Sequence, residues 1–111
     1  MKIIIAGDGK VGSMLARQLS AEGHDITLVD NDPDALESTI ERYDVMSVQG
    51  NCASMEVLRN AGVDSADLLI TATGQDEINL LCCLTALVGD VAGAQSVFAQ
   101  QQVHWHRRTV E

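Results

Sequence analysis

The apolar residues of this chain fall into short runs that alternate with segments of helical periodicity. Short apolar runs bounded by glycine or acidic residues are typical of buried strands, while apolar spacings of three and four residues indicate helices. The predicted strands are Ile3–Ala6, Asp25–Val29, Asp44–Val48, Ala66–Ala72 and Gly93–Ala99, and the predicted helices are Lys10–Glu22, one starting at Pro33, Met55–Ala61 and Gln75–Val88. This alternation predicts an α/β fold, a doubly wound parallel sheet with helices on both faces, in three α/β/α layers.

Three glycines follow the first predicted strand with the spacing G-x-G-x-x-G. Gly7 permits a tight turn, Gly9 allows a pyrophosphate to approach the backbone, and Gly12 allows the next helix to pack closely. The N-terminus of that helix directs free N–H groups and the positive end of its dipole at the same place. The pattern therefore predicts a phosphate-binding loop, although a βαβ unit that needs only tight turns would share part of it.

An acidic residue, Asp30, ends the second predicted strand, about twenty residues after the glycines. A carboxylate at that position accepts hydrogen bonds from ribose hydroxyls in dinucleotide-binding domains. It would repel the 2′-phosphate of NADP, and no arginine follows it in the sequence. Asp30 therefore favours NAD over NADP, but it serves the ribose of an adenine mononucleotide equally well.

Polar residues follow the third and fourth predicted strands and should meet the glycine loop, because ligands bind at the carboxyl edge of such sheets. Asn51 can meet an adenine or ribose edge, and Thr73 and Gly74 can bind ribose or phosphate. All three are equally compatible with ordinary turns. Cys52 lies beside Asn51, and we interpret it as a packing residue, since no histidine stands nearby in the sequence to activate a nucleophile.

Length and composition narrow the function further. The chain has 111 residues, 46% of them apolar, enough for one domain with an aliphatic core. The net charge of −9 argues against nucleic acid and anionic lipid as partners. We expect no secretory signal and no membrane insertion, because no apolar run approaches the ~20 residues of a span. The three cysteines suit a reducing cytoplasm.

Several segments together resemble the N-terminal, nucleotide-binding domain of Trk/Ktr-type potassium-uptake regulators, the RCK or KTN domain of TrkA-N type. The resemblance covers about residues 1–87. Its most specific part is the strand and Thr-Gly turn that lead into Asp-Glu-x-Asn-Leu, because ordinary dehydrogenases lack it. The matching segments are Lys2–Gly12, Ile26–Pro33, Gly50–Cys52, Glu56–Gly62 and Ala66–Leu81.

The resemblance implies a Rossmann-like fold that binds NAD(H), or alternatively ATP, ADP or AMP, and catalyses no reaction. It implies a cytoplasmic regulatory subunit that forms homodimers, assembles into rings, and lies at the inner face of the cell membrane through a potassium-translocating membrane protein. Nucleotide binding would then gate potassium transport. The alternative from a different class is the cofactor-binding fragment of an NAD-dependent oxidoreductase, although no second, substrate-binding domain is evident. The apolar helix Ile78–Val88 is the expected dimer interface.

The resemblance also implies which residues contact the nucleotide: Gly7, Asp8, Gly9, Lys10, Val11, Gly12, Asp30, Asn31, Asn51, Cys52, Thr73, Gly74, Glu77 and Asn79. We expect no catalytic and no metal-binding residues. Asp8 departs from the family pattern, since it would put an acid beside the phosphates. We assign residues 1–99 to the nucleotide-binding domain and expect residues 100–111 to be a divergent, disordered or altered tail.

Overall fold

The computed structural model describes the backbone of residues 1–89, 94–100 and 103–108, and the side chains of residues 1–86. Strands and helices alternate along the first 89 residues, as predicted. The elements, in chain order, are β1 (Lys2–Ala6), α1 (Lys10–Ala21), β2 (Asp25–Asp30), α2 (Pro33–Ile40), β3 (Met46–Gln49), α3 (Met55–Asn60), β4 (Leu68–Thr71), α4 (Asp76–Gly89), β5 (Ala94–Gln100) and β6 (Val103–Arg108).

The strands form one sheet in the order β3-β2-β1-β4-β6-β5. β1 is central and pairs in parallel with β2 and with β4, while β3 pairs in parallel with β2 on the far side. The carboxyl ends of these four strands therefore meet at one edge, where the chain leaves each strand for the next helix. The predicted Rossmann-like α/β fold is confirmed for this parallel part of the sheet.

Helices cover both faces of the sheet and divide the core in two. On one face, α1 and α2 contribute Ala16 and Leu36 to a cluster with the strand residues Ile5 and Leu28. On the other face, α3 and α4 contribute their own apolar residues, including Leu58, Cys82 and Ala86. Because β1 lies between these layers, Ile3, Ile4, Ile5 and Ala6 are all buried. This explains why the β1 sequence is apolar throughout and does not alternate.

The end of the chain differs from the predicted tail. Val103–Arg108 forms β6, which pairs antiparallel with β4 and with β5, so the last two strands form an antiparallel hairpin. The predicted strand Gly93–Ala99 corresponds to β5, Ala94–Gln100, and Gly93 lies outside the described residues. Residues 101, 102 and 109–111 of the predicted tail also lie outside them. A strand adjacent to β4 satisfies backbone groups that an open sheet edge would leave unpaired.

Three large apolar side chains of the helices lie at the surface. Met14 is 51% exposed, Ile40 is 41% exposed, and Leu81 on α4 is 50% exposed. In α2 the buried position next to Ile40 is Thr39, at 5% exposure. Its hydroxyl finds acceptors there, so a polar residue takes the inward position that periodicity assigned to isoleucine.

Candidate functional site

A crevice of about 480 Å³ lies at the carboxyl edge of the parallel strands. This volume is within the range of pockets that hold small ligands. Every loop that leaves a parallel strand contributes to the crevice. The lining residues are Gly7, Val29, Asp30, Asn31, Gly50, Asn51, Cys52, Thr73, Gly74, Gln75 and Ile78.

Two of the three loop glycines are required by close packing. Gly7 has a φ of +109°, and a Cβ there would lie 2.7 Å from the carbonyl oxygen of Ala72. A Cβ on Gly12 would overlap the carbonyl group of Gly7, well inside the 3.0 Å that Cβ atoms essentially never cross. The turn from β1 into α1 is therefore as tight as the G-x-G-x-x-G spacing predicts.

Gly9 is different, because nothing surrounds the position of its absent side chain. A Cβ there would have no atom within 4 Å apart from its chain neighbours, and its φ of −86° is open to any residue. Gly9 is also the N-cap of α1, and no side chain caps that helix. The free N–H groups of the first turn of α1 therefore lie beside an open surface, which suits an anion.

The carboxylate of Asp30 is fixed by two backbone N–H groups. Asp8 N–H donates to Oδ2 at 2.6 Å, and Asp32 N–H donates to Oδ1 at 2.8 Å. A carboxylate oxygen accepts more than one hydrogen bond, so both oxygens retain acceptor capacity. The acid that ends β2 is thus held against the glycine loop and faces the crevice.

The side chain of Asp8 does not lie where we predicted. It is only 6% exposed, and its Oδ1 accepts a hydrogen bond from the Thr39 hydroxyl of α2 at 3.0 Å. Its Oδ2 is buried without a hydrogen-bond partner. Burial raises the pKa of the Asp8 carboxyl, the Thr39 hydrogen bond opposes this, and the charge of Asp30 adds to the rise. Only the backbone of Asp8 faces the loop, because the turn directs its side chain beneath α2.

The loop after β4 is held by Asn79, which is fully buried in α4. Its Oδ1 accepts from Thr73 N–H at 2.8 Å and from the Thr73 hydroxyl at 2.6 Å, while its Nδ2 donates to the Thr73 carbonyl at 3.2 Å. Asn79 was predicted to contact nucleotide, but it lies beneath the loop and does not line the crevice. It is a positioning residue for Thr73 and Gly74.

The loop after β3 combines a local turn with a place in the crevice. Asn51 lines the crevice, but its Oδ1 already accepts from Ala53 N–H at 2.9 Å. The local turn predicted for Asn51 is therefore present, and its amide NH₂ group is not used in that turn. Cys52 belongs to the core cluster on the α3–α4 face of the sheet, and its 6% exposed surface lines the crevice.

The structure thus brings together half of the predicted set around the crevice. The predicted residues that do not line it are Asp8, Gly9, Lys10, Val11, Gly12, Glu77 and Asn79. The crevice also includes residues that were not predicted: Val29, Gly50, Gln75 and Ile78. For Ile78 a signal was available, because the first turn of the helix after β4 must adjoin the same sheet edge.

A larger cleft of about 650 Å³ lies at the opposite, amino-terminal edge of the strands, next to Lys2, Asp25 and Met46. It has neither a glycine loop nor a helix N-terminus directed at it by the βα turns, so we assign the candidate site to the carboxyl edge. Within the part of the chain that the structure describes, no three His, Cys, Asp or Glu residues cluster to hold a metal ion. The same residues include no helix long and apolar enough to cross a bilayer.

The sheet order, the glycine turn and the acid at the end of β2 define a Rossmann-like α/β domain of the nucleotide-binding class. Within that class the chain belongs to the TrkA-N domain family, whose model matches residues 3–103. The chain is 49% identical over 83 residues to the Trk system potassium uptake protein TrkA of Haemophilus influenzae. That match covers 75% of this chain and 18% of the relative, so the chain spans about a fifth of such proteins.

Two solved structures share the fold of this chain at 25% sequence identity or more. The Kef CTD of Shewanella denitrificans in its AMP-bound form is 28% identical, with a TM-score of 0.68, and covers 78% of this chain and 51% of that one. The GsuK channel bound to NAD is 25% identical, with a TM-score of 0.70, and covers 80% of this chain and 16% of that one.

Proposed function

We propose that this domain is a non-catalytic nucleotide sensor of a potassium-uptake system and that NAD(H) is its ligand. The observation that carries the proposal is the Asp30 carboxylate, held by Asp8 N–H and Asp32 N–H beside an uncapped helix N-terminus. The helix terminus and the open backbone at Gly9 would hold a diphosphate, and Asp30 would hold the ribose hydroxyls. These groups supply binding, and none supplies a positioned acid, base or nucleophile.

Two related structures indicate which nucleotides the crevice would hold. A related channel structure is described as bound to NAD, and a related Kef domain as bound to AMP. Both ligands carry an adenosine ribose and a phosphate, which are the groups that Asp30 and the α1 terminus would hold. ATP, ADP or AMP is therefore the second candidate ligand class for this crevice.

Calorimetry with NADH, NAD, ATP and AMP tests the proposal directly. Asp30→Ala should weaken the best ligand by about tenfold to a hundredfold, because hydrogen bonds to a charged group contribute about 1.5–3 kcal/mol. Asp30→Asn keeps the shape and should weaken binding as well. Asp25→Ala, at the opposite end of β2, is the matched control and should bind as the wild type. Unchanged affinity in Asp30→Ala would mean that the ribose is held elsewhere.

The proposed signal is a change in how two copies of the domain are arranged. Leu80, Leu81 and Leu84 of α4 are 44–50% exposed and form an apolar surface suited to a homodimer, and Leu87 and Val88 lie outside the described side chains. Nucleotide would favour one dimer arrangement, and a potassium-translocating membrane protein would respond to it. The domain then acts in the cytoplasm, at the inner face of the membrane through that partner, with rings as the larger assembly.

Two solution measurements test this part. Leu84→Glu should shift the protein to a monomer in sedimentation, whereas Met46→Glu, a change at a residue that is 72% exposed on β3, should not. X-ray scattering of the dimer with and without saturating nucleotide should give different curves. Identical curves would contradict gating by this domain, because a ligand shifts an equilibrium only through different affinities for its two states.

A further inference from the structure

The buried carboxyl of Asp8 lies next to the place where a phosphate would bind. Its side chain is 6% exposed and contacts Thr39 of α2, while its backbone N–H donates to Oδ2 of Asp30 at 2.6 Å. The next residue, Gly9, is the N-cap of α1, and no side chain caps that helix. A diphosphate at Gly9 would therefore add negative charge one residue away from a carboxyl that already adjoins Asp30.

The Thr39 hydroxyl has more acceptors within reach than it has hydrogens. Its oxygen lies 3.0 Å from Oδ1 of Asp8 and 3.3 Å from the Ala35 carbonyl oxygen. A hydroxyl has one hydrogen, and an ionised carboxylate can only accept, so the two acceptors must share that hydrogen. The other oxygen of Asp8, Oδ2, is buried and has no hydrogen-bond partner. The ionised carboxylate is therefore poorly satisfied in the folded domain.

One added proton completes the same set of contacts. A protonated Asp8 donates from Oδ1 to the Thr39 oxygen, and Thr39 then donates its own hydrogen to the Ala35 carbonyl. Oδ2 becomes the carbonyl oxygen of a neutral acid, which costs less to leave unpaired than the oxygen of a charged carboxylate. The heavy atoms keep their places, so the same packing accepts either protonation state.

The charges around Asp8 do not compensate for a further negative charge. Burial raises the pKa of the Asp8 carboxyl, the hydroxyl of α2 opposes this, and the charge of Asp30 adds to the rise. No basic side chain that the structure describes forms an ion pair with Asp8. The other titratable groups of the adjoining helices and turns are exposed, except for the half-buried Tyr43: Lys10, Arg17, Asp32, Asp34, Glu37, Glu41 and Arg42.

We propose that Asp8 takes up a proton from water when a nucleotide phosphate binds at the glycine loop, so that nucleotide binding is coupled to proton uptake. This rests on the proposed function, because it requires a phosphate at Gly9. The proton binds Oδ1 of Asp8 and neutralises the carboxylate beside the phosphate. The bound phosphate raises the pKa of Asp8 above its value in the free domain, which itself lies above 3.8. Affinity is therefore highest below the free-domain pKa, falls as pH rises towards the pKa of the complex, and is constant above both.

Calorimetric titrations with NAD between about pH 5.5 and pH 8 test the coupling. The wild-type Kd should rise by up to about tenfold per pH unit within the window, the slope for one linked proton. At one pH within it, buffers of different ionisation enthalpy should give different binding enthalpies, because the buffer supplies the proton. Asp8→Asn keeps the backbone N–H that bonds Asp30 and cannot titrate, so both effects should disappear. Glu37→Gln removes an equal charge from the exposed side of α2 and should keep the wild-type slope.

The choice of nucleotide keeps the two proposals separable. NAD has a diphosphate of constant charge over this range, whereas the phosphate of AMP titrates with a pKa of about 6. The difference between wild type and Asp8→Asn cancels titration of the ligand, so AMP serves if NAD does not bind. Equal pH profiles of the two proteins would overturn the proton coupling and leave the proposed function intact. Failure of every nucleotide to bind would contradict the proposed function and the coupling with it.

A carbon-13 NMR titration of the nucleotide-free domain examines the Asp8 carboxyl by itself. The Asp8 carboxyl carbon should titrate at higher pH than that of Asp34, which is exposed on α2. The signal of Asp8 is identified by its loss in Asp8→Asn. A midpoint at or below that of Asp34 would overturn the proposal, because the folded domain would then hold the carboxylate without cost.

Discussion

The glycine loop yields a sharp prediction, because Gly9 and Gly12 stand three residues apart in opposite environments. Gly12→Ala would place a Cβ onto the carbonyl group of Gly7, and both partners are backbone. Relief requires that α1 move away from the loop by more than ~1 Å. Overpacking of this kind costs about 3 kcal/mol, at the upper end of the usual range. For a domain of this size that corresponds to a fall in Tm of roughly 12 °C.

Gly9→Ala should leave the stability almost unchanged and should weaken nucleotide binding. Its Cβ would meet no atom within 4 Å beyond its chain neighbours, so unfolding free energy should change by less than about 1 kcal/mol. The same methyl group would stand between the backbone and an approaching phosphate. We expect nucleotide affinity to fall about tenfold to a hundredfold, the equivalent of a 1–3 kcal/mol steric cost.

Circular dichroism melts and calorimetric titrations of both variants separate the two effects. Gly12→Ala should lose stability, and Gly9→Ala should keep stability and lose binding. If Gly12→Ala melts with the wild type, then α1 does not pack against the Gly7 carbonyl as described. If Gly9→Ala binds nucleotide like the wild type, the phosphates do not contact this loop, and the proposed mode of binding is wrong.

Three further substitutions test residues that hold the loops around the crevice, and thermal denaturation measures each of them. Asp8→Ala should raise the unfolding free energy at pH 7 by roughly 1 kcal/mol, because it removes a buried, unpartnered carboxylate oxygen while Thr39 keeps the Ala35 carbonyl as acceptor. Since the folded state raises the Asp8 pKa above 3.8, the wild type loses stability as pH rises above that value, and the variant's advantage should grow over the same window. Asn79→Ala should cost about 3 kcal/mol and loosen the Thr73 loop, because it leaves Thr73 N–H without its acceptor. Asp32→Ala should cost about 1 kcal/mol, because Asp32 caps α2 through Asp34 N–H at 3.0 Å.

Each of these changes has a control and a result that would contradict it. Glu37→Ala, an exposed acid on the same α2 helix, should show no such pH-dependent gain; an equal gain there would attribute the Asp8 effect to net charge. A wild-type Tm in Asn79→Ala would show that the loop does not depend on that amide. Asp32→Ser should recover most of the capping energy, and a failure to recover it would point away from capping.

The sequence was sufficient to predict those features whose geometry is set by neighbouring residues. The Gly7 turn, the close approach at Gly12 and the start of α2 at Pro33 are each specified within a few neighbouring residues, and each has the expected geometry. The parallel direction of the first four strands likewise follows from the helix that connects each strand to the next, because such a connection joins strands of the same direction.

Sequence failed where a side chain's position depends on distant partners. Asp8 belongs to the glycine motif by spacing, but its burial depends on a hydroxyl in α2, 31 residues later. Asn79 belongs to the most specific part of the family resemblance, but its partners are in the preceding loop and hold it beneath the crevice. For the same reason Thr39 is buried and Ile40 is not, because hydrophobicity alone cannot anticipate an acceptor on another element.

Asp30 connects the fold to the proposed binding more directly than any other residue. Its carboxylate accepts N–H groups from both the glycine loop and the α2 entry turn, so the folded chain fixes the acid before any ligand arrives. A ribose that donates two hydroxyls to the remaining lone pairs would therefore meet an acceptor that needs no reorganisation, which lowers the cost of binding. Because of the same two hydrogen bonds, loss of ligand contact at Asp30 would affect the glycine loop and the start of α2 together. In the proposed mode of binding, a nucleotide would thus be coupled to both helices on this face of the sheet through a single side chain.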